Sequence, residues 1–209
     1  MTPELESQPK RGKGRPKSFQ RDEALKAAMK LFWDRGYEGT SFDDLITAMN
    51  ISASSFSNSF KNKEALYREA TDAYLAASGE WFLGILTGEP EVATAFKKLF
   101  ETTAVEFTRA DLPAGCMISL AGTHLPPSLS PVRDMMAQHR AVSESAMLER
   151  LKRGVADGQI APGTDIESLA AFFNALARGM AVKARDGADR DHLLKIAGVA
   201  MKSFPSARA

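Results

Sequence analysis

The chain has 209 residues, 44% of them apolar and 25% charged, with a formal net charge of +1. That apolar content builds a core and excludes a wholly disordered chain, while no eighteen-residue apolar run is present to cross a bilayer as a helix. The single cysteine, Cys116, excludes an intrachain disulfide and a multi-thiolate zinc site, and the basic start lacks the apolar stretch of a secretory signal, so a cytoplasmic protein is expected.

Charge is unevenly placed. Positions 10–21 hold six basic residues and no acidic one. Two glycines and a proline within Lys10–Lys17 disfavour helix, so residues 1–20 read as a flexible basic arm. Strand-type alternation is absent beyond the arm, and Ala, Leu, Met, Glu, Lys and Arg dominate, which predicts an all-α chain.

A first helix is expected over 21–35, with Leu25, Ala28, Leu31 and Phe32 on one face and Gly36 at its C-terminal cap. Thr40 or Ser41 caps a short second helix ending near Met49, whose first turn carries Asp43 and Asp44. Asn50 stands at a turn, where Asn tolerates positive φ. Ser52 caps a short third helix ending near Phe60, and Asn62 caps a long fourth helix reaching roughly Leu86. Two short helices around a tight turn form a helix-turn-helix with Leu45, Ile46, Met49, Ile51 and Phe56 inside. Its outward face, Ala53, Ser54, Ser55, Ser57, Asn58 and Ser59, is small and hydroxyl-rich, a surface that fits a major groove.

The remainder reads as a larger helical domain. A helix over 91–108 places Val92, Phe96, Leu99, Phe100, Thr103 and Phe107 on one side. A short segment over 116–124 follows, then a long helix opened by Ser130-Pro131 and stopped at Gly158. Asp165 caps a helix to about 185 with Leu169, Phe172, Phe173, Leu176 and Met180 on one side. A last helix covers 189–203.

One string in the first third is specific: Leu25, Ala27-Ala28, Leu31-Phe32, Gly36-Tyr37, Thr40-Ser41, Asp44-Leu45, Ser52 and Phe60-Lys61-Asn62-Lys63-Glu64-Ala65-Leu66. Over about 45 residues it resembles the DNA-binding domain of the TetR family of transcriptional regulators. Asn50 replaces the family's usual turn glycine, and Ser57 stands near a position where a tyrosine is common. The resemblance implies an N-terminal three-helix DNA-binding domain over 21–67 and a helical ligand-binding and dimerisation domain over 68–209. It also implies a homodimer through the last two helices, whose small residues Ala171, Ala175, Gly179, Ala197 and Gly198 allow close approach. The partners are then a double-stranded DNA operator and a small-molecule inducer, and the regulator is a repressor that releases a palindromic site.

On that reading Thr40, Ser41 and Lys63 contact phosphates near helix N-termini. Ser52 caps the recognition helix, and Ala53, Ser54, Ser55, Ser57 and Asn58 face base edges, with Asn58 suited to adenine. Arg15 and Lys17 flank Pro16 as an extended arm suited to a narrow minor groove. An apolar or amphipathic inducer is expected against Trp81, Phe100, Phe107, Cys116, Met117, Leu120 and Phe172, with His139 and Asn174 as polar anchors. Gly115-Cys116-Met117 resembles a Gly-Cys start to the sixth helix of several family members. No metal or cofactor is expected, since His124, His139 and His192 are widely separated. Two alternatives remain: an architectural DNA binder without a ligand, and an enzyme using Cys116 with a histidine base, against which the eight-residue separation of His124 argues.

Overall fold

The computed structural model describes residues 17–123 and 125–205, with side chains from Arg21 onward. Their elements are α-helices and one 3₁₀ turn: α1 (Lys17–Arg35), α2 (Phe42–Met49), α3 (Ala53–Ser59), α4 (Lys63–Gly88), α5 (Val92–Phe107), α6 (Met117–Leu120), α7 (Ser130–Ala156), α8 (Ile166–Arg185) and α9 (Arg190–Met201), the 3₁₀ turn Pro127–Leu129 preceding α7. The helix therefore begins earlier than expected, with residues 17–20 forming the first turn of α1 instead of the end of an arm.

The N-terminal elements are set by their caps. Ser41 Oγ accepts from the Asp44 N–H, and the Asp44 carboxylate accepts from Ser41 N–H, a reciprocal capping box that starts α2. The Ser41 hydrogen bonds hold the Asp44 carboxyl below its ordinary pKa. At the other end Asn50 adopts φ +52°, and Ile51 N–H donates to Ile46 O, closing the turn between α2 and α3. Ser52 and Asn62 cap α3 and α4 through the N–H groups of Ser55 and Ala65. Asp165 and Asp189 do the same for α8 and α9. α7 differs from the expectation: it continues directly from the 3₁₀ turn, Ser130 is already helical, and no side chain caps it.

Two cores result. The first holds Ala28, Phe32, Leu45, Phe56, Phe60, Leu66 and Tyr67 from α1–α4, together with Met117 and Ile118 of α6 and Val132 and Met136 of α7. The second holds Phe96, Leu99, Phe100, Phe107, Leu151, Phe173, Met180 and Leu193 from α5, α7, α8 and α9. Every residue assigned to the inner side of α5 is buried. The α8 face divides differently: Phe173 and Met180 are buried, whereas Phe172 is 46% exposed. A step of 100° per residue turns adjacent phenylalanines to different sides of one helix.

Polar contacts tie the two parts together. The Arg185 guanidinium at the end of α8 donates to the carbonyls of Trp33 (2.7 Å) and Asp34 (3.3 Å), capping the C-terminus of α1. Within the second part, Arg150 and Arg153 of α7 donate to carbonyls at the end of α4 and just beyond it.

Candidate nucleic-acid interface and inner cavity

The α3 face is exposed along Ala53, Ser54, Ser55, Ser57 and Asn58, because Phe56 and Phe60 anchor the opposite side in the first core. Its hydroxyls are largely engaged with one another. Ser52 Oγ lies 2.9 Å from Ser54 Oγ and donates to Ser55 Oγ, while Ser57 Oγ donates to Ala53 O at 3.1 Å. Asn58 has no side-chain partner among the described residues, so its amide can both donate and accept outward.

The flanking phosphate candidates fare unequally. Thr40 is corrected: it is fully buried, and its hydroxyl donates to Gly36 O at 2.7 Å, so the side chain serves the turn after α1. Ser41 is exposed, but its proton goes to the Asp44 carboxylate at 2.6 Å. Lys63, the first residue of α4, lies with its ammonium 4.4 Å from the centre of the Tyr37 ring. Burial there lowers its pKa, with Glu38 opposing. Lys61, part of the family string but given no contact there, is exposed just ahead of it beside the same helix N-terminus. Arg15 and the Lys17 side chain lie outside the described residues.

A cavity of about 290 Å³ opens among α4, α5, α6, α7 and α8. Trp81, Phe107, Cys116, His139 and Asn174 line it, as expected. Four other wall candidates are corrected. Phe100 and Met117 are buried inside the two cores. Phe172 points to solvent, and Leu120 packs against the second core beside Gly115 without reaching the cavity. The walls also contain Phe82, together with Tyr74, Arg140 and Arg178, which were not expected there from sequence. Tyr74 Oη donates to Cys116 Sγ at 3.2 Å. Burial, then the neighbouring thiol, raises the Tyr74 pKa well above its ordinary value and keeps it a donor. Asn174 donates to Glu144 at 2.7 Å. No group of three His, Cys, Asp or Glu side chains among the described residues is arranged to hold a metal.

Comparison with known proteins bears on both regions. Residues 24–70 match the family described as "Bacterial regulatory proteins, tetR family", and residues 94–197 match "Tetracyclin repressor-like, C-terminal domain". The chain is 37% identical over 199 residues to the HTH-type transcriptional repressor ComR of Escherichia coli, covering 94% of each. The protein belongs to the TetR family. Among solved structures, a cysteine-substituted TetR family regulator, CifR, complexed with a 26 bp operator superposes with a TM-score of 0.88. It is 38% identical, and the match covers 92% of this chain and all of that one. Reduced NemR of E. coli, at 17% identity and a TM-score of 0.75, shares the fold across 91% of this chain.

As a TetR-family member the chain is a DNA-binding transcriptional regulator with a helix-turn-helix. The relatives are regulators, not enzymes. No helix among the described residues is long and apolar enough to cross a membrane. α4 links the TetR head to the cavity: Lys63 begins it beside α3, and Tyr74, Ser78, Trp81 and Phe82 follow along its cavity side. Its 26 residues span roughly 39 Å at the usual helical rise.

Proposed function

We propose that the protein is a dimeric, ligand-responsive repressor that releases a palindromic operator when a small apolar or amphipathic molecule enters the cavity. The observation that carries this reading is α4, one uninterrupted helix that starts three residues after the reading helix, packs on α1 and walls the cavity. A ligand that binds one setting of α4 better than another shifts the spacing of two reading heads. The exposed apolar stripe of α8 and α9, Phe172, Ala175, Gly179, Val182 and Val199, supplies the dimer face. Arg15 and Lys17 add attraction to phosphates, and the site of action is the cytoplasm. The test is to select DNA with the purified protein and follow its operator complex by fluorescence anisotropy during compound titration. Release by a cavity-binding compound supports the reading. A complex indifferent to every compound leaves the architectural binder.

Within this reading α3 specifies and α4 positions. Asn58→Ala should cost about 1–3 kcal/mol of operator binding, concentrated at one base position, because Asn58 holds the free amide. Lys63→Ala should weaken binding by a similar factor on all sequences. A base-substitution scan distinguishes them, and an Asn58 loss spread evenly over positions would remove its base-reading role.

Cys116 serves as cavity wall. Its thiol accepts from Tyr74 and packs against both cores. Cys116→Ser retains an acceptor for that bond, so operator affinity should stay near wild type. Operator release on alkylation of the wild-type protein, absent in Cys116→Ser, would instead assign the thiol a sensing role.

A further inference from the structure

The cavity is apolar along one side and cationic at one end. Trp81, Phe82, Phe107 and Met147 form the apolar side, whereas Arg140 of α7 and Arg178 of α8 form the cationic end. The two arginines are half-buried and adjacent: Arg178 Nη2 donates to the Arg140 backbone carbonyl at 3.4 Å. Arg140 Nη1 donates to Ala121 O at 2.7 Å, just beyond α6, and to Ile118 O at 3.3 Å, within it. Among the described residues neither guanidinium has a carboxylate within 4.0 Å. The nearest acid along α7, Glu144, is engaged by Asn174 instead. Burial, then the Arg178 charge, depresses the Arg140 pKa below its ordinary value, the mark of like charges drawn together out of water.

Two partly desolvated cations facing one cavity are costly unless an anion joins them. Arg140 keeps Nε and Nη2 clear of the α6 carbonyls, and a guanidinium matches the oxygen spacing of carboxylate and phosphate. Resting on the reading of this cavity as the ligand site, we propose that its occupant is an amphipathic anion, with a carboxylate or phosphate head held between Arg140 and Arg178 and an apolar tail along Trp81, Phe82 and Phe107. The volume of about 290 Å³ stands at the small end of ligand pockets, so the tail is short. The head reaches the arginine that grips the end of α6, and α6 packs in the core of the reading head. Occupancy thereby loads the same side chain whose Nη1 holds α6.

The experiment uses the full chain and three probes of one tail length: octanoate, octyl phosphate and the neutral 1-octanol. Calorimetry reads binding, and anisotropy of the selected operator duplex reads release. At least one anion is expected to bind and to release the operator, with octanol weaker by about tenfold or more. The stronger anion distinguishes a carboxylate from a phosphate ligand. Arg178→Met, which leaves the Arg140 bonds to α6 in place, should abolish the preference, and Arg140→Gln should do so as well, with thermal melts confirming that each variant folds. Octanol binding as tightly as the anions, or a preference that survives both substitutions, overturns the anionic class while leaving a neutral ligand in the cavity. Failure of all three to bind also overturns it. The ligand-responsive reading itself then stands if a neutral compound releases the operator and falls if none does.

Discussion

Phe173→Ala should lower the free energy of unfolding by about 3–5 kcal/mol. Phe173 is fully buried and sits at the meeting point of four rings, with centroids 4.9 Å from Phe96, 5.4 Å from Phe100, 5.9 Å from Phe204 and 5.4 Å from Phe172. Three helices meet there, so the space left behind cannot close by moving one side chain. Denaturant melts at a fixed protomer concentration would measure the loss, since the apparent stability of the proposed dimer would depend on concentration. Phe172→Ala is the contrasting case. Its ring is 46% exposed, so it should cost far less in folding and should weaken self-association instead. Equal folding losses for the two would contradict the assignment of Phe172 and Phe173 to different sides of α8.

Gly115→Ala should cost roughly 2–5 kcal/mol, the sum of a backbone and a packing effect. Gly115 has φ +82°, where an L-residue pays about 1–2 kcal/mol. A Cβ there would also stand 2.6 Å from Ala181 O and 2.9 Å from Leu120 Cδ1. The leucine methyl can swing away, but the carbonyl belongs to the α8 backbone and can move only with its helix, which adds about 1–3 kcal/mol. Gly158→Ala provides the control. Gly158 has φ +71° and nothing within 4 Å of an added Cβ, so only the backbone part applies. If the two alanines prove equally destabilising by thermal melts, the close approach of residue 115 to α8 is not tight.

Much of the fold was legible because it is written in local chemistry. Ser41, Ser52, Asn62 and Asp165 each stand at a helix start and each accept the expected backbone N–H, and Asp189, for which no capping role was expected, caps α9 in the same way. Asn50 marked the one turn where a non-glycine residue takes positive φ among the described residues. α5 was readable because a single apolar face meets a single core. α8 was not, because Phe172 and Phe173 are equally apolar and periodicity does not say which side finds a core. The cavity was less legible for a related reason. Large apolar residues line cores and cavities alike, so Phe100 and Met117 were read as wall and proved to be core. Arg140 and Arg178 were invisible from sequence. An isolated arginine on a helix reads as a solvated charge, and only the packing of α7 against α8 brings these two together. Thr40 shows the same limit in reverse: its place before a helix suggested an outward hydroxyl, but its nearest carbonyl claims it.

α6 is four residues long, yet it belongs to two compartments. Met117 and Ile118 are embedded among the side chains of the reading head, while Cys116, Ile118 and Ser119 face the cavity. At this point the cavity and the head share one short helix as their common wall. Protein interiors resist compression, so such a shared wall acts as a diaphragm: pressure on one side becomes displacement on the other. On the proposed ligand-responsive reading, a small adjustment around an occupant would reach α1 and α4 through their direct contacts with α6.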